Sequence, residues 1–251
     1  MDPITPNLFV LGAARCGTTS LHAILGQHPE IHTSKIKEPT FFNWPCQVVR
    51  NPVNYFRLFE SSRRYRMEAS VTYFTSPETA PILRGLFPNA RFIVSLRDPK
   101  ARAYSLYRYM RARGLEDIAT FAEALKAEPG RYTSPEFLKT LEWDVWLFFY
   151  CRSSQYDSHL ARYFSLFDRE QFHVITLAEL SKDPLSTTKG ILEFLDLDPS
   201  PAKNFKFHIL NRNVPDRSPY DVESERILTA ELAGVMGRTE AIVERALDWS
   251  M

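Results

Sequence analysis

Gly12 and Gly17 bound a loop whose composition suits the binding of an anion. The apolar run 7–12 is typical of a buried strand, and a helical pattern begins at Thr18. A glycine-bounded loop between a strand and a helix directs backbone N–H groups at a phosphate. The hydroxyls of Thr18 and Thr19 add donors at the helix start. We therefore predict a phosphate site at residues 12–20.

The spacing of the two glycines matches the ATP-binding P-loop, G-x-x-x-x-G-K-[ST], but Thr18 stands where that loop has its lysine. Arg15 is the only cation within this loop. The loop is therefore suited to a phosphate and poorly suited to a magnesium triphosphate. The alternative is a plain strand-to-helix turn that binds nothing.

A second anion site is indicated at Arg97 and Ser105. Arg97 ends the apolar run 90–96, which predicts a central strand, and a helix is expected from Pro99. Ligands of open α/β sheets bind at the carboxyl ends of the strands. Ser105 lies about two helical turns further on. The alternatives are a salt bridge between Arg97 and Asp98 and a hydroxyl on the helix surface.

Glu38 is a candidate general base. It follows Lys35 and Lys37 and precedes three aromatic residues, and its position before Pro39 predicts extended backbone. An aromatic wall lowers the local dielectric and changes the proton affinity of a carboxylate, as general-base catalysis requires. The alternative is a surface Lys–Glu pair beside core aromatics.

The elements that must position these residues alternate between strands and helices, which predicts an α/β fold with a parallel sheet covered on both faces. The length of 251 residues fits a single domain, 1–251. The predicted strands are 7–12, 65–69, 90–96 and 171–177, and the predicted helices are 18–26, 77–87, 99–113, 184–195, most of 135–167 in two pieces, and 223–249.

Composition excludes several classes of function. The 31 Lys and Arg residues nearly balance the 30 Asp and Glu residues, so a nucleic-acid binder is not expected. No run approaches the roughly 20 apolar residues of a membrane span, and no signal peptide is recognisable. Three cysteines without C-x-x-C spacing favour a reducing, cytoplasmic compartment and no zinc. His28 and His32 are four apart, but Pro29 between them argues against a metal site.

The chain resembles the sulfotransferases that use 3′-phosphoadenosine 5′-phosphosulfate (PAPS), in particular the heparan-sulfate sulfotransferase branch and its bacterial relatives. The resemblance covers almost the whole chain and rests on four motifs: LGAARCGTTSL, KEPTFFNW, MEASVTYFTSP and FIVSLRDPKARAYSLY. It implies a P-loop-like three-layer fold and the transfer of a sulfonyl group to a hydroxyl or amine. It also implies no metal requirement and a small-molecule, lipid or carbohydrate acceptor.

The resemblance also implies roles for individual residues. Glu38 matches the carboxylate that deprotonates the acceptor, and Arg15 would stabilise charge on the departing phosphate. Phe41, Phe42, Trp44 and Tyr73 are candidate walls of the acceptor pocket, and the alternative for each is plain core packing. The donor-binding residues are Arg15, Cys16, Gly17, Thr18, Thr19 and Ser20 for the 5′-phosphosulfate, Arg97 and Ser105 for the 3′-phosphate, and Arg212 and Arg217 in a loop that closes over the nucleotide.

The chain departs from the family pattern at two positions. Arg15 replaces the usual lysine of the loop, which keeps the charge but presents a planar fork. Ala69, after Glu68, replaces a lysine of the heparan branch, and Lys35 or Lys37 is a candidate substitute. Two alternatives stay open, a P-loop kinase or other NTP-dependent transferase, and an inactive protein that binds PAPS or its product PAP.

Overall fold

The computed structural model describes residues 5–44, 46–140, 145–208 and 220–250. Within these ranges the chain forms one sheet of five parallel strands in the order β2-β3-β1-β4-β5. The strands are β1 (Leu8–Leu11), β2 (Ile31–Thr33), β3 (Tyr65–Glu68), β4 (Arg91–Leu96) and β5 (Phe172–Thr176).

Helices connect the strands and cover the sheet. In the described ranges the α-helices are α1 (Thr18–Leu25), α2 (Pro52–Arg57), α3 (Thr79–Leu86), α4 (Pro99–Ala112), α5 (Phe121–Thr133), α6 (Pro135–Thr140), α7 (Tyr156–Phe164), α8 (Leu177–Lys182), α9 (Pro184–Phe194), α10 (Val222–Glu231) and α11 (Val235–Val243). Short 3-10 helices lie at Val71–Tyr73, Val145–Phe148, Arg152–Ser154, Arg169–Gln171 and Ser200–Asn204. None of the helices described combines the length and apolar character that a bilayer crossing requires.

The helix starts follow local sequence. Asp98 caps α4, since its carboxylate accepts the N–H of Ala101 at 2.7 Å, and Pro99 takes the first helical position at no cost in hydrogen bonds. Asp183 caps α9 in the same way ahead of Pro184. The Asp98 cap starts α4 directly after β4, so the residues between these two elements lie at the carboxyl edge of the sheet.

The central strand β1 shows how the sheet is buried on both faces. Phe9 and Leu11 belong to one hydrophobic cluster, whereas Leu8 and Val10 belong to the other. Alternate side chains of a strand point to opposite faces, so a strand covered on both sides reads as a continuous apolar run. The predicted α/β class, with a parallel sheet between two helical layers, is confirmed.

The region 135–167 is less helical than predicted. Its described residues, 135–140 and 145–167, contain α6, two 3-10 turns and α7 instead of two long helical pieces. The buried carboxylate of Glu128 accepts the N–H groups of Cys151 and Arg152 at 2.8 and 2.7 Å. Backbone N–H groups held by a distant side chain do not join a helical ladder, so the chain turns here. The short elements β2 and α2, and α5 with Pro129 inside it, were not predicted.

Candidate functional site

The glycine-bounded loop lies between β1 and α1, as predicted, and both glycines are required by their surroundings. A Cβ on Gly12 would lie 2.6 Å from Val71 Cβ and 2.9 Å from the Val71 carbonyl oxygen. Gly17 has a φ of 79° and provides no side-chain hydrogen bond to the first turn of α1. The helix therefore begins without a side-chain cap. Its first N–H groups are left available to bind an anion.

The loop is tied to the neighbouring strand β4 through Ser95. The Ala13 N–H donates to the Ser95 carbonyl at 3.0 Å, and the Ser95 hydroxyl donates to the Cys16 carbonyl at 2.6 Å. Within the loop, the Cys16 N–H donates to the Ala13 carbonyl at 3.2 Å. These bonds hold the loop against the end of β4, where Arg97 follows.

Arg15 and Ser105, predicted as parts of two separate sites, lie in contact. Arg15 has a φ of 72°, unusual for a residue with a Cβ, and its Nε donates to Ser105 Oγ at 3.3 Å. The guanidinium also lies over the Tyr109 ring, 4.8 Å from its centroid. The structure therefore directs the loop arginine toward α4, so the two predicted anion sites form one continuous surface.

The electrostatics of this surface favour an anion. Burial lowers the pKa of Arg15, Tyr109 opposes this effect, and the positive charges of Arg97 and Arg113 lower the pKa further. Arg97 Nε is buried and has no hydrogen-bond partner among the described residues. Asp98, the alternative partner of Arg97, uses its carboxylate to cap α4. A bound anion would relieve the repulsion between these cations.

Glu38 lies in a segment that leaves the sheet after β2, and its backbone differs from the prediction. Its φ is 62°, so it is not extended, and Thr40 also has a positive φ of 47°. Lys37 Nζ is paired with Glu38 Oε1, and the Glu38 side chain is 38% exposed. We call residues 34–44 the strap. Hydrogen bonds from neighbouring segments hold the strap in this unfavourable conformation, which local sequence preference did not predict.

Three bonds fasten the strap to the segment that follows β3. The Thr40 N–H donates to Ser70 Oγ at 2.9 Å, and the Phe42 N–H donates to the Tyr73 hydroxyl at 3.1 Å. The Asn43 side chain donates to Thr72 Oγ1 at 2.9 Å. β3 is the neighbour of β1 in the sheet, so these bonds bring Glu38 to the same edge as the glycine loop.

The aromatic residues of the strap divide into core and surface. Phe42 and Tyr73 are buried in the main hydrophobic cluster, and Phe41 stacks on Tyr55 with centroids 4.4 Å apart. Trp44 is 75% exposed. Phe42 and Tyr73 therefore serve packing, whereas Trp44 presents its ring to solvent.

The cysteine and histidine candidates lie in ordinary surroundings. Cys16 and Cys151 are buried free thiols, and burial raises the pKa of the fully buried Cys16 thiol, which opposes reactivity. Nε2 of His28 lies 3.1 Å from the Asp198 carbonyl oxygen, and Nε2 of His32 lies 2.9 Å from that of Leu58. No group of three potential metal ligands occurs in the part of the chain that the structure describes.

The remaining predicted donor residues lie either at the start of α1 or outside the described residues. Thr18 and Ser20 are buried at the start of α1, and Thr19 is half-buried. Arg212 and Arg217 fall in 209–219, outside the described residues. Sequence reasoning missed Tyr109, whose position four residues after Ser105 predicts that both lie on one face of α4. Glu68 and Ser70 lie within the motif MEASVTYFTSP, but sequence reasoning assigned neither of them a role.

A parallel sheet with a glycine-bounded loop after β1, which contains Arg15, and with Arg97 at the end of the adjacent strand β4 defines a P-loop-like fold. The Sulfotransferase domain family matches residues 5–213. A sulfotransferase structure from Alicyclobacillus acidocaldarius superposes with a TM-score of 0.79 and 30% identity, covering 96% of this chain and 97% of that one. The chain belongs to the sulfotransferase family, as its motifs predicted.

Two further relatives extend this result. The human bifunctional heparan sulfate N-deacetylase/N-sulfotransferase 2 is 28% identical over 207 residues, which cover 77% of this chain and 22% of that protein. The chain thus spans about a fifth of the length of this relative. Mouse sulfotransferase SULT7A1, solved in complex with PAP, has a TM-score of 0.57 and 14% identity, covers 94% of this chain and 86% of that one, and shares the fold.

Proposed function

We propose that this protein transfers a sulfonyl group from PAPS to a hydroxyl or amine of an acceptor. The observation that carries the proposal is the surface formed by Arg15, Arg97 and Ser105 beside an uncapped helix start. PAPS carries two anionic ends, a 5′-phosphosulfate and a 3′-phosphate, and this surface offers donors to both. The missing P-loop lysine at Thr18 agrees with a donor that needs no bridging Mg²⁺.

The 5′-phosphosulfate lies on the first N–H groups of α1 and the hydroxyls of Thr18 and Thr19. Arg97 and Ser105 hold the 3′-phosphate. Arg15 belongs to the loop but donates to Ser105, so its guanidinium reaches the 3′ end and its backbone remains at the 5′ end. Donors aligned before the reaction stabilise charge that develops on the departing phosphate oxygen, and losing one costs about 10²–10³ in rate.

The chemical step forms one bond and breaks another. An acceptor oxygen or nitrogen attacks sulfur in line, the bond from sulfur to the 5′-phosphate oxygen breaks, and PAP leaves with the electron pair. Glu38 takes the acceptor proton on its carboxylate. Its partial exposure leaves room for an acceptor, and its pairing with Lys37 holds the side chain in place.

Lys37 supplies the positive charge that the family pattern has at Ala69. Its charge acts on Glu68, the residue next to Ala69, by lowering the pKa of that carboxyl. Lys35, in contrast, is exposed to solvent. Lys37 therefore takes the role of the missing lysine without occupying its place in the sequence.

Arg212 and Arg217, which lie outside the described residues, contribute to binding the nucleotide as the family pattern implies. The support for this proposal is the position of Tyr220, which follows their segment. Its ring packs on Tyr104, directly before Ser105, with centroids 5.2 Å apart. Tyr220, the first described residue after 209–219, thus lies beside the proposed 3′-phosphate end of the site.

The acceptor is a carbohydrate hydroxyl or amine in the first instance, because the relatives of the heparan-sulfate branch are named for that substrate class. Small-molecule and lipid acceptors belong in the same screen. The exposed ring of Trp44 is suited to stacking on a sugar face. An odd number of cysteines without C-x-x-C spacing favours a reducing compartment such as the cytoplasm.

The test is mass spectrometry of an acceptor library incubated with PAPS and the full chain, with and without a chelator. The expected result is a gain of about 80 daltons on at least one acceptor, with equal yield under chelation. Stabilisation by PAP without transfer to any acceptor would favour the inactive binding protein. Magnesium-dependent turnover of ATP without a response to PAPS would overturn the proposal.

A further inference from the structure

A buried carboxyl lies beneath the strap and takes no part in the chemistry described above. Glu68 ends β3, beside Phe9 of β1, and its side chain is fully buried. One oxygen, Oε1, accepts from Ser70 Oγ at 2.7 Å. The other, Oε2, is buried without a hydrogen-bond partner among the described residues. A buried acid without a salt bridge is costly, so its presence calls for a physical reason.

Ser70 connects this carboxyl to the strap. Its single proton is donated to Glu68, which leaves the Ser70 oxygen to accept the Thr40 N–H at 2.9 Å. The donor order is therefore Thr40 to Ser70 to Glu68. Thr40 lies two residues after Glu38, and only the rigid Pro39 separates them.

The backbone that this chain of bonds holds is unfavourable on both sides of Pro39. Glu38 and Thr40 both have positive φ angles, which residues with a Cβ rarely adopt. Such conformations persist only where the surroundings over-determine them, and they cluster at active sites. The Thr40 hydroxyl adds a second fastening, since it donates to the Cys46 carbonyl at 2.8 Å and accepts the Val48 N–H at 2.9 Å.

We propose that Glu68 is a positioning residue, which acts through Ser70 to hold the strap in the conformation that presents the Glu38 carboxylate to the acceptor. This inference rests on the proposed role of Glu38 as the base. It assigns Glu68 no contact with donor or acceptor, because its side chain is closed off from solvent.

The charge state of Glu68 follows from its surroundings. Burial raises its pKa to about 8, the Ser70 and Tyr73 hydroxyls oppose this, the Glu38 carboxylate adds to it and Lys37 opposes it. Tyr55 of α2 and Tyr163 of α7 also face it, since Glu68 contributes to raising the pKa of each. Glu68 is thus mostly neutral at pH 7. Its ionisation would place a second negative charge beneath Glu38 and strain the bonds to the strap.

Three variants test this role by steady-state kinetics and by calorimetric PAP binding. S70A should lower kcat by about 10²-fold, the scale of a small misplacement of a reacting group, while PAP affinity changes less than about twofold. Thr188→Val is the matched control, because it removes from α9, away from the strap, a buried hydroxyl that has no hydrogen-bond partner among the described residues. E68A should act like S70A, and E68Q should recover at least tenfold of the loss, on the order of a restored hydrogen bond.

The pH profile separates positioning from simple stability. Wild-type kcat should fall as pH rises through about 8, and E68Q should lack this fall because its amide does not ionise. A profile of E68Q that matches the wild type would overturn the role of Glu68. Equal losses of kcat and PAP binding in S70A would also overturn it.

Hydrogen exchange tests the same bonds without turnover, so it stands even if no acceptor is found. Exchange at the Thr40 amide, corrected for intrinsic rate, should rise at least tenfold in S70A and remain unchanged in Thr188→Val. Unchanged exchange in S70A would overturn the inference whatever the reaction is. If exchange at Thr40 rises in S70A as expected but E38Q turns over like the wild type, Glu38 is not the base. Glu68 would then hold the strap without serving catalysis, which would overturn the positioning role.

Discussion

We call the surface formed by Arg15, Arg97 and Ser105 the donor surface, after its proposed role. The donor surface and the strap lie at the same edge of the sheet but are built in different ways. The donor surface uses the ends of regular elements, β1 running into α1 and β4 running into α4. The strap has no regular structure over the residues around Glu38, and side-chain hydrogen bonds to the segment after β3 hold it. The donor surface therefore depends on strand and helix ends that the local sequence marks, whereas the strap depends on side-chain hydrogen bonds to another irregular segment.

This difference fits the chemistry proposed for each region. A nucleotide donor is the same in every turnover, so N–H groups at helix starts and fixed arginines suit it. An irregular strap can change with the acceptor without disturbing the sheet. The following predictions test whether the two regions can be perturbed separately.

The largest effect is expected at Glu38. E38Q removes the proton acceptor and should lower kcat by about 10²–10⁴, with PAP affinity unchanged, because donor binding uses the other region. Steady-state kinetics and calorimetry check both quantities. E60Q changes an exposed glutamate of similar type and serves as the control. Turnover of E38Q close to that of the wild type would show that another group is the base.

The second effect is a pH-dependent stability from Glu68. Its pKa is raised from an ordinary 4.5 to about 8, so the folded protein holds this proton more tightly than the unfolded chain. Stability is therefore lost as pH rises from about 4.5 to about 8 and stays low above that. Relative to the wild type, E68Q should gain about 2–4 kcal/mol between pH 5 and pH 8 in denaturant unfolding, given 1.4 kcal/mol per pKa unit. A constant difference across this range would contradict the raised pKa.

The third effect belongs to the donor surface alone. R97A should weaken PAP binding by about 1.5–3 kcal/mol, the scale of a hydrogen bond to a charged group, and should spare adenosine 5′-phosphate, which lacks the 3′-phosphate. Calorimetric titration with both nucleotides measures this, and R57A on the exposed side of α2 is the matched control. Equal weakening for the two nucleotides would refute the assignment of Arg97.

The smallest effect is expected at Gly12, where the glycine loop contacts the segment that fastens the strap. A methyl group at Gly12 would press on Val71, the residue after Ser70, including its carbonyl oxygen at 2.9 Å. G12A should therefore cost about 1–3 kcal/mol of unfolding free energy and weaken PAP binding. G85A, in α3 with nothing within 4 Å of the added methyl, should instead stabilise the protein by up to about 1 kcal/mol. Thermal and denaturant unfolding compare the two, and the same sign in both would contradict this account.

Sequence reasoning was most successful for the elements around the donor surface. The bounds of α1 and α4 were predicted to within a residue or so, because a glycine, a proline and an aspartate mark their ends locally. The apolar runs of β1 and β4 were also clear, because both strands are buried on both faces. The joining of Arg15 to Ser105 was not predicted, since 90 residues separate them.

The amino-acid sequence by itself determined the family, the fold class and the identity of the candidate residues, because motif spacing, strand periodicity and helix caps are all local properties of the chain. Only the tertiary structure decided where Arg15 points, why Glu38 is not extended, and that Glu68 and Ser70 lie beneath it. Those features depend on burial and on hydrogen bonds between distant segments, which form only once β3 pairs with β1 and the strap packs across them.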